Sequence, residues 1–274
     1  MFQLFRHLAV DYGAAMRLVD YMGDTEGARQ TINGWVAQET QDRIDELIPG
    51  GALSVDTRLV LVNAIYFSAS WKYPFNPDRT WDGPFTRLDG STVEVPMMTQ
   101  DLGGQGAGYF DGEGYEAVEM PYDGDQLSMV LIAPDNGIFP DFEATFDSAK
   151  LAEILEGLSG GEINFTMPRF EFSQDLPLSQ HLQALGMNDA FQQGVADLSG
   201  MDGGHTLYIQ DVLHQAFVAV DEAGTEAAAA TAVIIGDTSV PPAVRFDRPF
   251  VFLIRDIPTG AVLFMGRVVD PSSG

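Results

Sequence analysis

Cysteine is absent from the 274 residues. Disulfides, thiolate zinc sites and a cysteine nucleophile are therefore excluded, and the redox compartment stays open. Cations are scarce, with 14 Lys and Arg against 40 Asp and Glu and a net charge of −26. A field of that sign repels phosphate backbones and anionic headgroups, so neither nucleic acid nor a membrane surface is an expected partner. Long apolar runs are also lacking. The stretch Leu59 to Phe67, with Asn63 inside it, falls far short of the roughly 20 residues of a membrane span. Met1 to Tyr12 carries Arg6 and His7 within its apolar part and no small-residue cleavage pattern, so it reads as a helix rather than a signal peptide. There is no nucleophile elbow, paired-histidine zinc helix, phosphate loop or kinase set. His7, His181, His205 and His214 are dispersed, without metal-ligand spacing.

What is present is a chain with 45% apolar residues, enough for a sizeable core. Asp24 reads as an N-cap, and Ala28, Ile32, Trp35, Val36, Ile44 and Leu47 keep helical spacing until Pro49-Gly50-Gly51. Residues 58–67 are apolar on both parities, which predicts a central strand covered on both faces. Runs over 116–122 and 126–133 flank Asp123-Gly124, a hairpin signal. Helical patterns follow at 142–158 and 178–185, and strands at 163–172, 207–221, 245–255 and 261–269. The sum is an α+β chain, and no repeat, linker or charge block divides it, so one domain is expected. Gly104, Gly106 and Gly108 lack the strand-then-helix frame of a dinucleotide site and predict a loop. Asn188, Asp197 and Asp202 lack the ligand series of a calcium loop and read as solvated turn residues.

The most unusual segment is DEAGTEAAAATAVIIGDTSVPP, from Asp221 to Pro242. Thr225, Ala227, Ala229, Thr231, Val233 and Ile235 form one parity of small or β-branched residues, suited to burial in a strand. Intrinsic propensity instead favours an alanine-rich helical turn over 226–232, so two states are open to this stretch. His214, among Val212, Leu213, Ala216, Phe217 and Val218, is by its residues alone a buried histidine that needs hydrogen-bond partners.

This segment resembles the reactive-centre loop of a serpin. The resemblance runs in order through LVNAIYF (61–67), Trp71 with Pro74-Phe75 and Thr80, and VPMM (95–98). It continues in MPY (120–122), LSM (127–129), ADLSG (196–200), residues 246–252 and FMG (264–266). It implies a serpin fold, multi-sheet and strand-heavy with packed helices, in a single domain over 1–274 with a reactive-centre loop at 222–242. Because the similarity starts at the helix Met1 to Tyr12, the family's N-terminal helices and several early strands are expected to be absent, roughly a quarter or more of a typical member. That part would supply the serine side of the sheet-opening cluster.

The resemblance also implies a mechanism. A target serine protease of elastase-, subtilisin- or chymotrypsin-like specificity cleaves the loop as a substrate, and the cleaved loop inserts into the large sheet with the protease still acylated. Counting without gaps from Gly224 to Pro241-Pro242 places the scissile bond between Thr238 and Ser239. The hinge would be Glu222, Gly224, Thr225, Glu226, Ala227, Ala228, Ala229, Ala230 and Thr231, in which the small side chains, all but the two glutamates, can enter a sheet. Asn63 and His214 match the sheet-opening region, where their side chains can satisfy each other. Trp71 and Arg169 match the top of the sheet, where Arg169 can pair with Glu222. No cofactor or metal is implied, no enzymatic turnover is expected, and family habit leans extracellular. The alternative is a non-inhibitory substrate or binding protein whose truncated sheet cannot complete insertion.

Overall fold

The computed structural model describes residues 17–103, 107–225 and 241–273. The helix expected at Met1 to Tyr12 lies outside them. In chain order the elements are α1 (Thr25–Glu39), β1 (Val60–Tyr66), β2 (Ala69–Ser70), β3 (Trp81–Thr86), β4 (Thr92–Asp101), β5 (Gly108–Gly112), β6 (Tyr115–Pro121) and β7 (Leu127–Pro134). There follow α2 (Phe139–Thr145), α3 (Ser148–Gly157), β8 (Ser159–Gly160), β9 (Asn164–Pro168), β10 (Phe170–Pro177), α4 (Leu178–Ala184) and α5 (Ser199–Asp202). The last are β11 (Asp211–Val220), β12 (Gly224–Thr225), β13 (Ala243–Arg245), β14 (Phe250–Asp256) and β15 (Val262–Val268). No helix among the described residues is long and apolar enough to cross a membrane.

The chain divides into two compact units interleaved in sequence. One comprises residues up to Tyr66 with Ser173–Phe217, the other Phe67–Phe172 with the residues from Val218 onward. In the first unit, α1 starts where its cap predicts, the Asp24 carboxylate accepting from the Gly27 amide at 2.9 Å. It stops at Glu39, short of the expected Leu47. The Thr40 hydroxyl donates to the Val36 carbonyl (2.8 Å) and accepts from the Ile44 amide (3.1 Å), and Gln41 and Asp42 turn left-handed at φ 53° and 61°. Ile44 and Leu47 are buried without being helical, so their spacing reflects a shared core. Asn33, buried in α1, bonds both the carbonyl and the amide of Ile48 at 2.9 Å and so satisfies that irregular segment. β1 pairs in parallel with β11, from Val60 opposite Asp211 to Tyr66 opposite Phe217. The expectation of a central strand covered on both faces fails. Among the described residues β1 has β11 as its one strand neighbour, and Leu61 and Asn63 on one parity are exposed.

The second unit holds a six-stranded sheet in the order β15-β14-β7-β6-β5-β8 and a four-stranded one in the order β13-β9-β4-β3. Trp71, Phe75, Phe85, Met98, Phe165, Phe246 and Phe250 belong to its main core, and Tyr115, Ile132, Phe139 and Leu253 to a second. The hairpin β6–β7 forms as expected, but positive φ falls on Gly124 (88°) and Asp125 (55°), one residue later than the Asp123-Gly124 signal. The helical pattern at 142–158 is two helices, because Asp147 is extended and caps α3 through the Lys150 amide at 2.8 Å. The run at 163–172 divides at Arg169 into β9 and β10, and that at 245–255 divides before Pro249 into β13 and β14. β3 and β4, which carry Pro84 and Pro96, were not anticipated; Pro84 is tolerated because β3 is the edge of this sheet among the described residues. Gly108, expected in a loop, opens β5, while Gly104 and Gly106 lie outside the described residues.

Candidate functional site

β11 gives way after Val220 to a short strap, residues 221–225, and the strap carries the candidate hinge. The Asp221 amide donates to the Gly224 carbonyl (2.9 Å), while its carboxylate accepts from the Ala223 and Gly224 amides at 2.8 and 3.2 Å. This closed turn sends Gly224-Thr225 back as β12. Thr225 lies opposite Val220 of β11, and on the other side Gly224 and Thr225 lie opposite Ser70 and Ala69 of β2. Position 224 requires glycine. Its φ is +156°, and a Cβ there would lie 2.2 Å from the Ala69 carbonyl oxygen.

Trp71 holds the strap by two hydrogen bonds, from its backbone amide to the Ala223 carbonyl (2.9 Å) and from its indole to the Asp221 carbonyl (3.0 Å). The Phe75 amide donates to the Glu222 carbonyl at 2.8 Å. Glu222 is buried, and its carboxylate accepts from Arg169 at 2.5 Å and from the Thr80 hydroxyl. Burial works to raise the Glu222 carboxyl, but the hydrogen bonds from Arg169, Thr80 and its own backbone outweigh it and hold the group below the usual range. Thr225 has no exposed surface, and its hydroxyl meets the buried Tyr122 hydroxyl at 2.7 Å. The Tyr122 ring is stacked on Trp71, with centroids 4.6 Å apart and planes inclined by 8°.

The structure thus brings Trp71, Arg169, Glu222, Gly224 and Thr225 together. Glu226, Ala227, Ala228, Ala229, Ala230, Thr231 and the bond Thr238-Ser239 lie outside the described residues. Asn63 and His214 are register partners on β1 and β11. Their side chains do not satisfy each other as expected. Asn63 is exposed, and the buried His214 Nδ1 has no hydrogen-bond partner among the described residues. Burial lowers the His214 pKa below the ordinary 6.5, against the lesser raising influence of the Asn63 backbone. Asp197 and Asp202 accept from the amides of Ser199 and Gly204, the behaviour of turn carboxylates. Thr80 and Tyr122 were visible in the sequence as parts of longer matches but had no assigned role. The available signal for Tyr122 was a phenol in an apolar run, which needs a partner once buried.

A family model described as Serpin (serine protease inhibitor) matches residues 3–271. Antithrombin-III of Mus musculus is 39% identical over 272 residues, 96% of this chain and 57% of that protein. Leukocyte elastase inhibitor of Homo sapiens is 38% identical over 95% of this chain and 71% of its own length. This chain therefore spans between just over half and about seven tenths of these relatives. Thyroxine-binding globulin in complex with thyroxine superposes with a TM-score of 0.87 at 28% identity, over 99% of this chain and 71% of the globulin. With nearly the whole sequence matched and the fold shared, the chain belongs to the serpin family.

Proposed function

We propose that the chain acts as a serine-type endopeptidase inhibitor by the suicide-substrate route. The observation that carries this reading is β12, a strand of two residues between β11 and β2, from which the small-residue run 226–231 continues directly. Relatives named as antithrombin, elastase inhibitor and plasminogen activator inhibitor support it. The protease serine oxygen attacks the Thr238 carbonyl carbon, the Thr238–Ser239 amide bond breaks, and the amine of Ser239 takes the proton. The acyl-protease then travels with the loop as residues beyond Thr225 join the sheet. A small, β-branched Thr238 suits the shallow pockets of elastase-, subtilisin- or chymotrypsin-like enzymes and lacks the cation a trypsin-like pocket selects.

A second reading, a loop that is cut and released without insertion, is favoured by two buried atoms in β11, His214 Nδ1 and Gln215 Oε1, that have no hydrogen-bond partner among the described residues. One experiment separates the two. The chain is mixed with each class of protease and analysed on denaturing gels, with mass spectrometry of the fragments. A complex that survives denaturation, with a released peptide beginning at Ser239, supports inhibition. Cleavage at that bond without any complex supports the second reading, and no cleavage overturns both.

A further inference from the structure

Resting on the inhibitory reading, we infer that Tyr122 is a positioning residue for insertion: its hydroxyl holds Thr225 in the sheet and selects a hydroxyl-bearing side chain there. Thr225 is fully buried, and among the described residues the hydrogen bond of its side chain is the one to Tyr122 at 2.7 Å. Neither group can turn to solvent for a replacement, so withdrawal of Thr225 leaves a buried phenol unpaired. Tyr122 is itself immobilised. Its ring stacks on Trp71 and takes Phe67 edge-on at 5.1 Å, and its amide donates to the Leu127 carbonyl at the hairpin turn. Trp71 in turn bonds the carbonyls of Asp221 and Ala223, so one aromatic pair grips the strap at three points along its length. The latch also accounts for the side chain at 225. Valine has the right shape, but it would strand the Tyr122 hydroxyl, whereas serine would keep the bond.

The test reads amide hydrogen exchange in the intact chain over residues 69–71 and 221–225, for wild type, Tyr122→Phe, Thr225→Val, their double variant and Thr225→Ser. Exchange there is expected to rise about tenfold in each of the first two variants and no further in the double, the size of one buried hydrogen bond, with Thr225→Ser close to wild type. Unchanged exchange in Tyr122→Phe, fully multiplicative effects in the double variant, or a Thr225→Ser that exchanges like Thr225→Val would each overturn the latch. With a protease that forms the complex, Tyr122→Phe is expected to shift the products from complex toward cleaved chain. If no protease forms a complex with wild type, the inhibitory reading fails while the exchange result still decides the latch.

Discussion

Two stretches of the chain a few residues apart are stabilised in opposite ways. At 221–225 one carboxylate oxygen of Asp221 accepts from two amides, Glu222 is met by Arg169 and Thr80, and Thr225 is met by Tyr122. At 214–215, within β11, two buried side-chain atoms have no partner among the described residues, although the Gln215 amide nitrogen donates to Ser173. Both stretches lie in or next to a β-branched, apolar strand, so strand propensity does not distinguish them. What distinguishes them is the supply of polar side chains from remote segments. The strap receives Trp71, Thr80, Tyr122 and Arg169, while the middle of β11 receives little beyond backbone. A satisfied network fixes one conformation, and an unsatisfied one lowers the cost of opening.

The contrast can be broken most severely at Thr225. Thr225→Arg places an unpaired charge where no surface is exposed, and roughly 3 kcal/mol or more of local stability should be lost. On the inhibitory reading the chain then becomes a substrate, read as cleaved chain without complex on a denaturing gel; complex formation at wild-type efficiency would sink the insertion reading of this hinge. Gly224→Ala comes next, at about 2 kcal/mol, since the added Cβ meets the Ala69 carbonyl and the backbone angle disfavours alanine. Urea unfolding would show it, and an unchanged midpoint would mean that β12 shifts freely.

Glu222→Gln keeps the shape and removes the charge, costing about 1 kcal/mol at neutral pH, a modest figure because the Arg169 side chain is 45% exposed. Its pH signature is sharper. A carboxyl held below its ordinary 4.5 contributes stability that is present above that value and lost as pH falls through the lower, folded value. Thermal melts below pH 4.5 should therefore lose less stability on acidification in Glu222→Gln than in wild type. The smallest effect belongs to His214. With its folded pKa below 6.5, the unfolded chain takes up the proton first, so stability falls as pH drops below 6.5 and levels off under the folded value. His214→Leu should remove that dependence between pH 7.5 and 5.5, as measured by chemical unfolding, and an identical slope in both proteins would refute it.

Much of this was legible in the sequence where the signal is local. The Asp24 cap and the β6–β7 hairpin each depend on residues within a few positions, and each is where the residues place it, the hairpin turn shifted by one. Errors arose where a core pattern outlasted its element. Ile44 and Leu47 kept helical spacing past a left-handed turn at Gln41-Asp42, and the apolar parities of 58–67 hid the exposure of Leu61 and Asn63. At the candidate site, Trp71, Arg169, Glu222 and Thr225 could be named from motifs. The joining of Arg169 to Glu222 was implied by the family resemblance, but nothing local marked Thr80 as a further donor.

By itself the sequence determined the acidic surface, the absence of thiol chemistry, the small side chains after Gly224 and the family resemblance, because composition and short motifs carry them directly. Tertiary structure alone decided that the Thr225 hydroxyl is held by Tyr122, 103 residues away, and that His214 Nδ1 is left without a partner among the described residues. The physical reason is register. Which side chains meet across a sheet depends on the pairing of strands far apart in the chain, and a shift of one residue would turn Thr225 away from Tyr122 and onto the opposite face.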